Sequence, residues 1–270
     1  MYEKLYLSPV GRFFASIIAR PGISRAVGLF MDSSLSRFMI KPFIKKNDIP
    51  MHEAADEAYK SFNAFFTRRL KNGARPVDED VDVLVSPSDG LLTAYPIMKD
   101  GVVHVKGTPY TAETLLESSQ IAEEFYGGWM LIFRLTPSHY HRYAFPDDGE
   151  YVFTKSIPGI FHTVRPEALA NEPVFKKNTR EYAYVNTDHF GGMVYMEVGA
   201  TMVGRIVNKR REGRFTRGEE KGMFEFGGST IILLIKKGAA QPLDEIVQKT
   251  IANEETPVHL GQKVAKRSIS

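Results

Sequence analysis

The stretch around which the rest of the chain is organised reads Gly222-Met223-Phe224-Glu225-Phe226-Gly227-Gly228-Ser229-Thr230-Ile231-Ile232-Leu233-Leu234-Ile235. An alternating apolar segment leads into two glycines and a serine, and a continuous apolar run follows them. The pattern predicts a strand, a tight bend at Gly227-Gly228, and a buried strand over residues 231–235. Ser229 would then hold its hydroxyl beside the unshielded carbonyl of Gly228, which is the arrangement that an internal attack on the backbone requires. The same three residues are also typical of an ordinary turn.

The composition bounds the class of protein. The chain has 270 residues with ordinary apolar and charged fractions, which predicts a globular fold with a substantial core. The absence of cysteine excludes disulfides, thiolate catalysis and cysteine-ligated metal sites. A net charge of +3 does not favour a nucleic-acid partner. We see neither the pattern of a secretory signal nor the run of ~20 apolar residues that a membrane-spanning helix needs.

The first 50 residues are basic and amphipathic. They hold eight Lys and Arg against three Asp and Glu. Residues 9–20 carry apolar side chains at helical spacing, and further helices are predicted over residues 24–31 and 34–41, with Pro42 ending the last one. An aromatic, apolar face flanked by cations is typical of a membrane interface. Packing of these helices on the protein's own domain requires the same periodicity, so both interpretations stay open.

The pattern of the sequence changes from helical to strand-type segments near residue 70. Residues 52–70 predict one more helix, and residues 71–76 predict a linker. Beyond it, a short helix at 111–116 interrupts predicted strands at residues 81–85, 91–96, 102–105, 129–135, 151–157, 182–185, 193–198, 202–207, 222–226 and 230–235. We therefore expect an α+β fold, in which a helical N-terminal arm (residues 1–70) precedes a β-rich catalytic domain (residues 71–270). That domain would be barrel-like or sandwich-like.

Three residues in the β-rich part could form a catalytic set. The hydroxyl of Ser229 would attack, the imidazole of His141 would take its proton, and the carboxylate of Asp89 would orient the imidazole. Each has an ordinary alternative, and for Asp89 it is to cap its own turn. His139 and His141 also have a spacing that metal sites use, so a metal-dependent enzyme is a further hypothesis.

Eight motifs occur in order along nearly the whole chain. They are Phe65-Phe66-Thr67-Arg68-Arg69-Leu70 with Arg75-Pro76, Ser86-Pro87-Ser88-Asp89-Gly90, Val105-Lys106-Gly107, Tyr140-His141-Arg142, Ile157-Pro158-Gly159, Asn178-Thr179-Arg180-Glu181, Val198-Gly199-Ala200-Thr201-Met202-Val203-Gly204, and Gly222 to Thr230. With these residues the chain resembles the phosphatidylserine decarboxylases, in particular the shorter bacterial forms. Any one motif is weak, but eight in register are highly specific.

The resemblance implies a proenzyme that cuts itself between Gly228 and Ser229, giving residues 1–228 (β chain) and 229–270 (α chain). Attack by Ser229 Oγ on the Gly228 carbonyl would convert the peptide to an ester. Elimination and hydrolysis would then leave a covalent pyruvoyl group at position 229. His141, oriented by Asp89, would be the base.

The resemblance also implies the reaction. The amine of phosphatidylserine would form a Schiff base with the pyruvoyl group from Ser229, and loss of CO₂ would give phosphatidylethanolamine. The expected partners are phosphatidylserine in anionic membranes and the chain's own two fragments, which would form a heterodimer or a higher oligomer, without metal or nucleic acid. The expected location is the cytoplasmic side of the cell membrane, with the basic arm on its surface.

The chain departs from the pattern of many family members at two positions. Where they have Asp-Tyr-His-Arg-x-His, this chain has His139 in place of the aspartate and Ala144 in place of the second histidine. His141 would then cover both histidine roles, or His139 or His162 would help. The departure also keeps open a non-catalytic, lipid-binding relative that is not cleaved.

Overall fold

The computed structural model describes residues 21–56, 58–105, 108–164, 169, 173–200, 205–227 and 229–268. The predicted helix at residues 9–20, Gly228, and parts of two motifs (residues 106–107 and 201–204) lie outside the described residues. Within them, helices gather toward the N-terminus and antiparallel sheets follow, so the predicted α+β class is confirmed.

The N-terminal helices are α1 (Pro21–Asp32), a 3-10 helix (Ser34–Met39) and α2 (Ile40–Asn47). The sequence predicts that Pro42 ends a helix. Pro42 instead lies in the first turn of α2. Proline is tolerated there because the first N–H groups of a helix have no carbonyl partner within it. None of the helices in the described part of the chain has the length and apolar character that crossing a membrane would need.

The predicted helix over residues 52–70 is wrong for most of its length. Among the described residues of this range, the helices that form are a short 3-10 helix (Met51–Glu53) and α3 (Phe62–Phe66). Ser61 is extended and caps α3 by accepting a hydrogen bond from the N–H of Ala64 at 3.2 Å. Ala54 pairs with Leu70 across a β-bridge, so the segment folds back on itself.

Sixteen strands follow among the described residues, with short helices between them. They are β1 (Val83–Val85), β2 (Gly90–Pro96), β3 (Val102–Val105), β4 (Thr108–Thr111), β5 (Trp129–Leu135), β6 (Arg142–Ala144), β7 (Gly149–Ile157), β8 (Arg180–Thr187), β9 (Gly191–Gly199), β10 (Ile206–Asn208), β11 (Arg214–Phe215), β12 (Glu220–Phe224), β13 (Ser229–Ile235), β14 (Ala240–Pro242), β15 (Thr256–Val258) and β16 (Lys263–Arg267). The helices are α4 (Ala112–Leu116), α5 (Ser119–Glu123), α6 (Val174–Lys177) and α7 (Asp244–Ile251).

Strand β13 lies inside the largest sheet, whose order is β11-β7-β8-β9-β13-β5-β2-β15. It pairs along its whole length with β5 on one side and β9 on the other. Ile231, Leu233 and Ile235 enter one hydrophobic core, and Ile232 and Leu234 enter a second core on the opposite face. Burial on both faces explains why the sequence here is a continuous apolar run instead of an alternating one.

A second sheet, of order β10-β12-β6, packs over the first of these cores. Tyr143 of β6 contacts Tyr195 of β9 with a ring-centroid separation of 6.3 Å. Lys221 of β12 and Glu197 of β9 form a buried ion pair at 2.5 Å, which also joins the two sheets. The described sheets stay open, so the sandwich-like alternative, and not the barrel-like one, matches the arrangement.

The N-terminal helices pack around an aromatic cluster of their own that includes Phe62, Phe65 and Phe66. Phe226, which follows β12, packs against this cluster with its ring centroid 4.8 Å from that of Phe62. The segment before Ser229 therefore connects the helical region to the sheets. The division of the chain at residue 70 stays a prediction.

Candidate active site

Several strands begin or end at one edge of the large sheet. Ser229, the first residue of β13, is paired with Leu135 at the end of β5 and with Gly199 at the end of β9. Gly90, the first residue of β2, is paired with Val258 at the end of β15. Because the strands are antiparallel, Asp89, which precedes Gly90, lies at the same edge as Ser229.

Two connections run side by side from this edge to the second sheet. One comprises residues 136–140, between Leu135 and His141. The other comprises residues 225–228, between Phe224 and Ser229. Their far ends meet where the N–H of Phe224 donates to the carbonyl of His141 at 2.9 Å, and their near ends meet at the Ser229–Leu135 pair. The fold therefore brings His141 and Ser229 to the same part of the molecule.

Ser229 is buried, with 1% of its surface exposed. Its Oγ has no hydrogen-bond partner among the described residues. Gly227 has φ +141°, a conformation that L side chains rarely adopt, so the bend before Ser229 depends on glycine at this position. Strands β12 and β13 belong to different sheets, so this bend carries the chain from one sheet to the other.

His141 is fully buried, and its ring lies against the ring of Phe66 with a centroid separation of 3.8 Å. Burial, with the nearby charge of Arg68, holds the pKa of His141 well below its ordinary value. The imidazole is therefore neutral at pH 7. Neither ring nitrogen has a hydrogen-bond partner in the described part of the chain.

Asp89 is buried, but it does not bind His141. Its carboxylate accepts three hydrogen bonds from Arg75, from Nε to Oδ1 at 2.8 Å and to Oδ2 at 3.1 Å and from Nη2 to Oδ2 at 2.7 Å. A fourth comes from the N–H of Leu260 to Oδ1 at 2.9 Å. Burial raises the pKa of Asp89, but the bonds from Arg75 outweigh it and lower the pKa. The expected orientation of His141 by Asp89 is thus not observed, and neither is the alternative in which Asp89 caps its own turn.

The two other histidines named from the sequence have different surroundings. Nδ1 of His139 accepts a hydrogen bond from the N–H of Thr136 at 2.9 Å, and burial lowers the pKa of His139 to about 4. The N–H of His162 donates to Oδ1 of Asn178 at 2.9 Å, and the carbonyl of His162 accepts from Nδ2 of Asn178 at 2.7 Å. Asn178 also donates to the carbonyl of Gly199, the strand partner of Ser229, at 2.7 Å.

Position 144, where the family pattern has a second histidine, is a buried alanine on β6. The Ala144 N–H donates to the carbonyl of Pro87 at 2.8 Å, and its carbonyl accepts from the hydroxyl of Tyr195 at 3.2 Å. This backbone pairing links β6 to the Ser86–Gly90 motif. The position holds the fold together and offers no titratable group.

Unsatisfied polar atoms concentrate in the family motifs. Of the ten buried side-chain nitrogen and oxygen atoms without a hydrogen-bond partner among the described residues, seven belong to the motif residues Arg68, Ser88, His141, Ser229 and Thr230. Native interiors leave few such atoms, and a catalytic or binding role is one of the reasons for which they remain. This concentration identifies the edge of the sheet around Ser229 as the candidate active site.

The one group of potential metal ligands in the described residues lies elsewhere. It comprises Asp147, Asp148 and His189. Asp147 is already paired with Arg217 at 2.9 Å and with His189 at 2.8 Å. His139 and His141, the pair that suggested a metal site in the sequence, are not part of this group.

The sequence did not predict the two arginines of this region as functional residues. Arg75 binds Asp89, and Arg68 is buried with no hydrogen-bond partner for Nε or Nη1 among the described residues. Both belong to the first of the eight family motifs. The available signal is the presence of arginine in a motif otherwise made of Phe, Thr, Leu and Pro, because arginine is rarely buried unless it is paired.

Comparisons with known proteins give a consistent result. The family model described as phosphatidylserine decarboxylase matches residues 62–266. A phosphatidylserine decarboxylase proenzyme of Clostridium perfringens is 42% identical, over 97% of this chain and 91% of its own length. Proenzymes with the same name from Ruminiclostridium cellulolyticum and Clostridium botulinum are 40% and 37% identical, over 98% and 97% of this chain and 90% and 91% of their own lengths.

Proposed function

Because the chain belongs to the phosphatidylserine decarboxylase family and is a decarboxylase of phosphatidylserine, we propose that it builds a pyruvoyl group from Ser229 by cutting itself between Gly228 and Ser229. The observation that carries this proposal is the state of the Ser229 hydroxyl. It is buried and has no hydrogen-bond partner among the described residues. A hydroxyl without a partner is free to attack, and its loss breaks no hydrogen bond.

The surroundings of Ser229 fit the group that would replace it. A carbonyl at position 229 would lie at the start of β13 without displacing a hydrogen-bonded side chain. The pyruvoyl group would supply an electron sink for the decarboxylation of the serine headgroup. Strand β13 is paired with β5 and β9 along its length, so it would hold the new N-terminus in place after the cut. For the same reason residues 1–228 and 229–270 would remain one complex.

His141 is the proposed base for self-cleavage. It would take the proton from Ser229 Oγ as this oxygen adds to the Gly228 carbonyl and the peptide rearranges to an ester. Removal of the Cα proton of residue 229 would then expel the carboxylate of residue 228. Addition of water and loss of ammonia would complete the ketone. His141 suits the first step because it is neutral at pH 7 and its ring nitrogens have no partner among the described residues.

Phe66 and Asp89 would have supporting roles. Phe66 lies against the imidazole and restricts its plane. Asp89 is held by Arg75 and by the N–H of Leu260. Asp89 would therefore act by holding the Leu260 segment at the edge of the sheet. A direct hydrogen bond from Asp89 to His141 would require the carboxylate to leave Arg75.

We also propose that the N-terminal region binds the membrane that contains the substrate. Leu29, Phe30, Leu35 and Phe38 expose large apolar side chains. Arg37 and Lys41 are exposed beside them and can attract an anionic surface. The anionic lipids of the cytoplasmic leaflet make that face the proposed location.

The chemical nature of position 229 provides the test. Purified protein should yield a fragment of residues 229–270 whose intact mass matches a pyruvoyl N-terminus and which forms a hydrazone with a hydrazine. Its N-terminus should be blocked to stepwise sequencing. A fragment that begins with free serine would contradict the proposed chemistry, because simple hydrolysis of the peptide would then explain the cut.

A further inference from the structure

Arg68 is a buried cation without a counterion. The side chain is 3% exposed, and neither Nε nor Nη1 has a hydrogen-bond partner among the described residues. Another buried arginine, Arg180, behaves differently. Its guanidinium donates to the carbonyls of Leu115 and Lys176 at 2.8 Å and to that of Thr114 at 3.1 Å. The fold is thus able to satisfy a buried guanidinium, and it leaves that of Arg68 unsatisfied.

An unpaired buried charge destabilises a protein. Burial lowers the pKa of Arg68, although nearby groups that include Asp89 oppose this effect. The Asp89 oxygens accept hydrogen bonds from Arg75 and from the N–H of Leu260, and they make no ion pair with Arg68 in the described structure. The guanidinium of Arg68 therefore has a contact with the Phe65 ring but no ion pair in the described part of the chain, and a functional reason is needed for its buried charge.

The position of Arg68 connects it to the candidate active site. Phe66, two residues earlier, lies against the ring of His141. The carbonyl of Thr67, the intervening residue, accepts a hydrogen bond from Arg142 Nε at 2.8 Å. The guanidinium carbon of Arg68 lies 5.5 Å from the centroid of the Phe65 ring. Arg68 is therefore held at the junction between α3 and the segment that carries His141.

The substrate offers two anionic groups that a guanidinium could bind, the carboxylate and the phosphodiester. The carboxylate loses its charge as CO₂ departs, so a cation paired with it would stabilise the ground state more than the transition state and would slow the reaction. The phosphodiester keeps its charge throughout. A cation bound to it would position the headgroup without opposing the chemistry, and the planar guanidinium suits phosphate oxygens.

We propose that Arg68 binds the phosphodiester of the lipid headgroup. This inference rests on the proposed location of the active site at Ser229 and His141. Cleavage after residue 228 would turn residues 225–228 into a free end, and Phe226 in this segment packs against Phe66. Release of that end gives the headgroup a route toward Arg68.

The test measures binding directly. Titration calorimetry on purified protein would compare dihexanoyl phosphatidylglycerol, which has a phosphodiester but neither amine nor carboxylate, with N-acetylserine, which has only the carboxylate. Arg68→Met should weaken binding of the phosphatidylglycerol at least ten-fold. Arg69→Met, the same change at the exposed neighbouring residue, should leave the dissociation constant within two-fold.

Thermal unfolding separates binding from a structural role. Arg68→Met should unfold at the same or a higher temperature than wild type, because it removes an uncompensated buried charge. Arg180→Met, which removes a hydrogen-bonded guanidinium, should unfold at a lower temperature. A drop in Arg68→Met as large as that in Arg180→Met would overturn the proposal, since Arg68 would then be structural.

Two binding results would also overturn it. One is unchanged affinity for the phosphatidylglycerol in Arg68→Met, and the other is a loss that affects only N-acetylserine. Failure of the self-cleavage proposal would be seen separately, as an intact chain on a denaturing gel. The calorimetry uses protein that the gel shows to be cleaved, so a failure of binding and a failure of cleavage are recognised separately.

Discussion

Arg75 holds Asp89 in a bidentate ion pair, with Nε 2.8 Å from Oδ1 and Nη2 2.7 Å from Oδ2. Nη2 of Arg75 also binds Glu53 at 3.0 Å, and Oδ1 of Asp89 also accepts from the N–H of Leu260. The pair thus joins the N-terminal region, the Ser86–Gly90 motif and the proposed 229–270 fragment. Asp89, which the sequence suggests as the partner of His141, is occupied by this pair instead.

Removal of Arg75 should therefore destabilise the protein. Arg75→Met leaves the Asp89 carboxylate buried without its counterion, and the loss of one partner of a buried pair costs about 3 kcal/mol or more. Urea unfolding would measure this loss of free energy if Arg75→Met is made in Ser229→Ala protein, in which the chain should stay uncleaved. Arg214→Met breaks an exposed pair with Asp188 and should cost less than about 1 kcal/mol. Equal effects of the two substitutions would contradict the role of Arg75.

His141→Gln should slow self-cleavage by about 100-fold or more, because the proposed base is removed. The measurement is the appearance of the 229–270 fragment over time after synthesis. His104→Gln, an exposed histidine on β3, is the matched control and should cleave at the wild-type rate. Wild-type cleavage in His141→Gln would show that another group is the base.

His139 should make the protein sensitive to acid. Burial lowers the pKa of His139 to about 4 in the folded chain, whereas the unfolded chain takes up the proton near the ordinary value of ~6.5. The free energy of unfolding should therefore fall as the pH drops below this value. Two variants are compared, Ser229→Ala and the double variant Ser229→Ala with His139→Gln. Between pH 7 and pH 5 the free energy of unfolding should fall by up to about 2 kcal/mol more in the single variant than in the double variant. Identical pH profiles in urea unfolding would contradict this expectation.

The exposed apolar residues of the N-terminal region should control binding to lipid. Leu35 and Phe38 are 73% and 72% exposed. Burial of each in a bilayer is worth about 1.5 kcal/mol or more, so Leu35→Asp with Phe38→Asp should weaken sedimentation with phosphatidylserine vesicles at least ten-fold. Ser229→Ala protein avoids conversion of the lipid during the measurement.

A matched control for the membrane surface lies at the other end of the chain. Ile251, at the end of α7, is 70% exposed, and Ile251→Asp should leave vesicle binding unchanged. If the double substitution and Ile251→Asp behave alike, the N-terminal region is not the surface that contacts lipid.

The sequence predicts those parts of the fold in which local pattern and burial agree. β5 is found at its predicted bounds, and β13 begins one residue earlier than predicted. The helix predicted over residues 52–70 is wrong because its periodicity takes no account of the Ala54–Leu70 bridge. α7, β15 and β16 are not predicted, because none of them is longer than 8 residues and such short segments show no clear period.

For the candidate site, the sequence predicts the residues but not their contacts. Ser229, His141 and Asp89 were named from motifs, and the fold brings all three to one region. Their contacts were not predictable, because Arg75 competes for Asp89 through a packing arrangement that the motifs do not encode. The unpaired state of Arg68 is likewise a property of the folded interior, and the sequence alone contains no sign of it.

The central claim is that Ser229 is the precursor of the group that performs the reaction. Its most direct test is a denaturing gel of wild-type and Ser229→Ala protein, purified in parallel and assayed for release of CO₂ from phosphatidylserine. The wild type should separate into residues 1–228 and 229–270 and release CO₂, while Ser229→Ala should remain one chain and release none. An intact wild-type chain that still decarboxylates the lipid, or a Ser229→Ala chain that still splits at this bond, would contradict the claim.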